Sequence, residues 1–158
     1  MSKYDDASWH YGSDFPEELP IKNGATHTGM FLNWCINNDF ISEEFKEDHE
    51  EEIQSLKRRK ITGAEFIMDF MDGKFSEYDL NDTGNAFAED YYKDDTDFGN
   101  RFSSFADDYV NLFDTKAEEN DYEYETFYHI EDTYENYDLM KQVIDYRFEE
   151  WKEYKGLV

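Results

Sequence analysis

The sequence predicts an all-α fold: a single compact domain of five or six helices over residues 1–158, with an irregular aromatic N-terminal arm. Three observations carry this prediction. Apolar residues recur at steps of three and four in successive stretches, the repeat of a helix buried on one side. Helix start and stop signals flank those stretches. Alternation with a period of two is confined to one segment near 122–128.

Residues 1–24 form the arm. Tyr4, Trp9, Tyr11 and Phe15 are too many large rings for a free tail, while Gly12, Pro16, Pro20 and Gly24 are turn signals. The rings are expected to strap the arm over the helical body. A helix follows over about 25–38, capped by Asn23 or Thr26. Met30, Phe31, Trp34 and Cys35 lie at helical spacing there, with Leu32 and Ile36 widening the apolar face. This is the expected central helix.

Ser42 precedes a second pattern, with Phe45, His49, Ile53 and Leu56 on one stripe and Glu43, Glu44, Glu47, Glu50 and Glu51 opposite. Acid early and Lys57–Lys60 late suit the helix dipole. Thr62-Gly63-Ala64-Glu65 reads as a capping box, in which the Thr and Glu side chains satisfy each other's backbone donors. The helix behind it should bury Phe66, Ile67, Phe70 and Met71 and end at Gly73.

Another helix is expected over 82–92, with Phe87 and Tyr91 on one face, then a polar break over 94–100. A helix over about 102–113 should bury Phe105, Tyr109, Leu112 and Phe113. Residues 114–135 read either as a short extended segment near 122–128 or as an irregular crossover. Tyr137, Met140, Ile144, Phe148 and Trp151 mark the last helix, which ends before Gly156.

Composition narrows the function classes. Forty acidic residues against fifteen basic ones give a formal charge of −25, yet 19% of residues are aromatic. High charge with few aromatics is the signature of disorder, and the rings remove this chain from that class. Such a field repels phosphates, so nucleic acid and anionic lipid are not expected as direct partners. It attracts a basic protein. Cys35 is the only cysteine, which excludes an intramolecular disulfide, and its apolar surroundings predict a buried, inert thiol. The first residues show no basic-then-apolar leader, and the longest strongly apolar run, Met30–Ile36, is far below the roughly 20 residues of a membrane span. The expected location is the cytoplasm.

Three constellations could carry chemistry. Asp5, Asp6, His10 and His27 offer carboxylate and imidazole ligands for a divalent metal, and Ser8 beside a histidine is a conceivable nucleophile. The same residues could equally cap turns and tie down the arm, and no metalloprotease, hydrolase-elbow, phosphate-loop or EF-hand motif accompanies them. No cofactor is expected. Asp69, Asp72, Glu77, Asp79 and Asp82 surround Gly73 but lack the ligand pattern of a calcium loop, so a solvated loop is expected there.

The third constellation is charge itself. Glu43–Glu52 holds seven acids and one lysine, and Glu118–Asp138 holds nine acids and no lysine or arginine. The second block is interleaved with tyrosines, which supply contact area and cation–π faces to a partner rich in Arg and Lys. The expected contact residues are Tyr122, Glu123, Tyr124, Glu125, Tyr128, Glu131 and Asp132, with Glu43, Glu47 and Glu51 as a second face.

The strings YDDASWHYGSDFPEELP and GATHTGMFLNWCI resemble a family of small acidic bacterial proteins with a domain of unknown function. The stretches around Gly84–Phe87 and Asp145–Trp151 extend the resemblance over nearly the whole chain. It supplies no catalytic residues. It implies a cytoplasmic immunity-type protein that neutralises a basic toxin domain, such as a nuclease. A metal-dependent enzyme built on Asp5, Asp6, His10 and His27, and a nucleic-acid mimic that inhibits a DNA-binding protein, are the alternatives.

Overall fold

The structure is a computed structural model that describes residues 3–11 and 15–157. It is all-α in class, with eight α-helices, four short 3-10 turns and one small sheet among the described residues. The helices are α1 (Thr26–Asn37), α2 (Glu43–Asp48), α3 (Glu50–Lys57), α4 (Gly63–Phe70), α5 (Asp82–Tyr91), α6 (Asp97–Arg101), α7 (Phe105–Glu119) and α8 (Tyr134–Lys155). The strands β1 (Lys3–Asp6) and β2 (Lys74–Ser76) pair antiparallel, with Asp5 opposite Phe75 and an irregularity between Lys3 and Asp5.

α1 is the central helix, as its composition predicts: every residue from Thr26 to Ile36 is buried. Its closest neighbour is α4, and the two cross where Gly29 faces Gly63. A Cβ on either glycine would collide with the backbone of the other helix, so the approach depends on both. The predicted capping box at Thr62 and Glu65 is present and starts α4 at this crossing. Around α1 pack Phe87 and Tyr91 from α5, Phe105 from α7, and Phe148 and Trp151 from α8, in one continuous aromatic cluster. The Cys35 thiol lies inside it, and burial pushes its pKa well up.

Several boundaries differ from expectation. The pattern over residues 43–57 is broken at His49, whose backbone ends α2 and opens α3. The stripe of Phe45, Ile53 and Leu56 continues across the break, which is why the sequence reads as one helix. The polar stretch over 94–100 contains a short helix, α6, that buries Phe98. α7 runs on to Glu119, and α8 starts at Tyr134 behind a Thr133 cap and stops at Gly156, whose φ of 73° is the left-handed cap expected there. Phe70 is not core: it sits on the last residue of α4 and is 43% exposed, its ring set edge-on to buried Phe66.

The segment after α7 is an irregular crossover with a short 3-10 turn at Phe127–His129, and no strand forms at 122–128. The period of two survives only over 123–126, where Tyr124 and Thr126 are half-buried while Glu123 and Glu125 face solvent; it ends at Phe127, which packs on His27 and Tyr109. The arm is more regular than expected. Tyr4 is buried and β1 extends the small sheet, but Trp9 is 60% exposed and straps nothing. The turn expected at Gly12 lies outside the described residues. No described helix is long and apolar enough to cross a membrane.

Candidate functional site

Two features concentrate polar chemistry. The first is centred on Asp5, whose place in β1, paired with β2, holds its carboxylate inside the protein beneath the N-terminus of α1. One carboxylate oxygen accepts the backbone N–H of Asp6 at 2.9 Å and lies 2.8 Å from His10 Nε2. The other accepts the hydroxyls of Tyr92 at 2.6 Å and Thr28 at 3.0 Å and lies 3.0 Å from His27 Nε2. Five donors therefore converge on one buried carboxylate.

Burial is the largest single influence on this group and pushes its pKa up. The combined bonds from His10, His27 and Tyr92 outweigh burial and hold the carboxyl well below the usual range. His27 is driven the other way: burial lowers its pKa and outweighs the attraction of Asp5, so the imidazole is neutral. His10 reaches from Asp5 to Tyr128, with Nδ1 2.9 Å from the phenol oxygen. The three rings of His27, His10 and Tyr128 meet edge to face. A pocket of about 320 Å³ opens onto this group, with exposed Trp9 and Asp94 among its lining residues.

Of the four predicted metal ligands, the structure brings Asp5, His10 and His27 together and sends Asp6 elsewhere. Asp6 caps the following turn through the Ser8 N–H at 3.0 Å and pairs with Lys3 at 2.9 Å. Ser8 donates its hydroxyl to the same Asp6 oxygen, 2.7 Å away, so it is not presented to a histidine as a nucleophile. Thr28, Tyr92 and Tyr128 complete the group but were not foreseen. Thr28 lies one residue past His27, whereas the tyrosines lie 87 and 118 residues from the residues they bond, and no local pattern links them.

The acids around Gly73 do not form the single solvated loop expected: β2 runs between them and buries Phe75. Asp69, Asp72 and Asp82 are exposed, and half-buried Asp79 accepts the Ser76 N–H at 2.8 Å, with burial raising its pKa. Among the described residues, two groups could hold a metal ion: Asp5, His10 and His27, and the exposed set Glu18, Glu125 and His129.

The second feature is the acidic surface between α7 and the crossover. Asp114, Ala117 and Glu118 of α7 and Tyr122, Glu123 and Tyr124 line an open groove of about 380 Å³. Tyr122 is 40% exposed, and its hydroxyl lies 3.1 Å from that of Tyr124. Tyr124 donates in turn to Glu131 at 2.6 Å. Burial alone would raise the Glu131 pKa, but the Tyr124 bond and nearby Lys116 outweigh it and lower it. Lys116 is itself turned to Asn136 Oδ1, 2.6 Å away, so its charge does not line the groove.

Seven predicted contact residues thus divide. Tyr122, Glu123, Glu125 and Glu131 are exposed and Tyr124 is half-buried at the groove wall. Tyr128 turns inward to His10. Asp132 lies under the surface, accepting the Thr62 hydroxyl at 2.6 Å and facing Lys22 at 3.5 Å, with burial raising its pKa. Asp114, which lay outside the predicted acidic block, and Glu118, its first residue, join the face because α7 extends past residue 113. Glu43, Glu47 and Glu51 form the exposed side of α2 and α3, separate from the groove.

The fold and these features define a helical acidic protein with a buried aspartate–histidine group beneath the arm and an open acidic groove at the surface. The chain belongs to the family described as Domain of unknown function (DUF7832), whose model matches residues 3–137. No curated protein and no solved structure matches it.

Proposed function

We propose that this protein is a non-enzymatic, cytoplasmic immunity-type protein that binds and neutralises a basic bacterial toxin domain, such as a nuclease. The observation that carries this reading is the groove of Asp114, Glu118, Tyr122, Glu123 and Tyr124 on a chain of net charge −25. It has room for lysine or arginine side chains of a partner, with carboxylates to pair them and phenol faces to stack on them. The surrounding field steers a positive surface toward it and repels nucleic acid. A nuclease domain presents such a positive surface, because it must approach phosphates. Glu125 and Glu131 flank the groove, and Tyr128 and Asp132 act from below by fixing the crossover. Glu43, Glu47 and Glu51 supply a second acidic face.

The test is co-expression with a basic bacterial nuclease toxin domain, starting with any encoded next to this gene, followed by purification and stopped-flow association. The expected result is restored growth, a stable complex, and an association rate that falls with salt. The paired change Glu118→Lys and Glu123→Lys should slow association about tenfold or more at low salt. No complex and no rescue would remove the immunity reading. A partner whose DNA-binding surface this protein contests with DNA would instead make it a nucleic-acid mimic.

A further inference from the structure

We infer that Asp5, His10 and His27 form a binding site for one divalent transition-metal ion of the zinc class. The inference rests on the buried group beneath the arm and is independent of the acidic groove.

One carboxylate oxygen and two imidazole nitrogens lie within 4.8 Å of one another. The two His Nε2 atoms are already 2.8 and 3.0 Å from the carboxylate oxygens. Ligands held about 2.0–2.1 Å from a tetrahedral zinc stand about 3.3 Å apart. The ion therefore needs a small widening of the two histidine–carboxylate contacts, with the His10 and His27 nitrogens, within 4.8 Å of each other, brought to the same spacing. Two neutral imidazoles and one carboxylate are a donor set suited to zinc, nickel or cobalt rather than magnesium or calcium.

The surroundings already support such ligands. Tyr128 holds the far nitrogen of His10, and Tyr92, Thr28 and the Asp6 N–H hold the carboxylate. Outer partners of this kind orient metal ligands and set their basicity. An independent observation concerns His27. Its Nδ1 is buried with no hydrogen-bond partner, so Asp5 alone among protein groups holds a proton on this ring. Nε2 can present its lone pair to a cation without breaking any other bond. On coordination each imidazole proton moves from Nε2 to Nδ1: at His10 the Tyr128 oxygen changes from donor to acceptor, whereas at His27 the Nδ1–H is left without a protein acceptor, a cost that the metal bond must exceed. The pocket of about 320 Å³ supplies an entry path and space for water at a remaining position.

The test uses the full chain, stripped with chelator and titrated with Co(II) and Zn(II) at neutral pH. The expected result is one equivalent of Co(II) with the visible absorption of a low-symmetry nitrogen–oxygen site, displaced by Zn(II), and a rise in thermal stability. His10→Gln and Asp5→Asn should each weaken binding at least about tenfold. His10 lies at the rim of the pocket, so its variant remains folded and informative if the Asp5 variant does not. His129→Gln, at the exposed second cluster, should leave the signal unchanged. Absence of stoichiometric binding, binding retained in His10→Gln, or loss of the signal in His129→Gln would each overturn the assignment.

Discussion

Aspartate or glutamate beside tyrosine occurs in two settings in this molecule, and the same pair does different work in each. Inside, Asp108 accepts Tyr91 and Ser103 at 2.7 Å each and a two-pronged contact from Arg147 at 2.9 and 3.1 Å. Outside, Glu131 accepts Tyr124 at 2.6 Å, and Tyr124 meets Tyr122 at the edge of an open groove. The bond lengths are alike. What differs is the replacement available when a bond is lost: water reaches the outer pair and does not reach the inner one. Interior acids in this chain are therefore structural commitments, while rim acids are adjustable and can be spent on a partner.

Removing the cation from the interior set should give the largest effect. Arg147→Met leaves Asp108 buried and short of its charge partner, at a cost of about 3–5 kcal/mol in chemical denaturation. A loss below about 1 kcal/mol would mean that the inner acid is as replaceable as the outer one, and the contrast would collapse. The Gly29–Gly63 crossing should come next. Gly63→Ala forces a methyl into the backbone of α1, and overpacking of this kind costs about 1–3 kcal/mol or more. Because Thr62 at the same helix end bonds Asp132, this change should also alter crossover amide signals in NMR. Unchanged crossover shifts would show that the rim is held independently of the core.

The parts of this design that were legible in the sequence are those encoded by neighbouring residues. The α1 face, the Thr62 capping box and the Gly156 stop each depend on residues within one or two turns. The sheet was not legible because its strands are four and three residues long, too short to show alternation, and lie about seventy residues apart. The Asp5 group was half legible: acid and imidazole residue types pointed to Asp5, His10 and His27, but nothing local distinguished Asp5, which turns inward, from Asp6, which caps a turn. On the groove, the tyrosine-and-acid interleaving marked the correct segment. It could not say that Tyr128 faces His10, since the alternation ends at Phe127, where the chain turns inward with no strand behind it.

Asp132 lies between the two settings and offers a finer test. Burial raises its pKa, so folding favours the protonated acid. Its contribution to stability is full at low pH, below the ordinary carboxylate range, and is lost as pH rises through the elevated folded value. Asp132→Asn keeps an acceptor for Thr62 and carries no charge. The stability difference between variant and parent should therefore shift in favour of asparagine between about pH 4 and pH 7. A difference that is flat over this range would place Asp132 with the solvated acids, against its burial.

The smallest stability effect is expected where function is proposed. Tyr124→Phe removes one hydroxyl from the groove wall, and because water replaces it the loss should stay below about 1 kcal/mol. Its consequences lie elsewhere. Glu131 loses the bond that lowers its pKa, so its carboxylate should titrate higher, readable by side-chain NMR. Tyr122 loses its hydroxyl neighbour and becomes freer to reorient. Binding to a basic partner should then weaken more than folding does, because a preorganised wall is replaced by one that must be ordered on contact. Equal loss in stability and binding would mean that Tyr124 only supports the crossover; loss of binding alone would locate the docking surface at this groove.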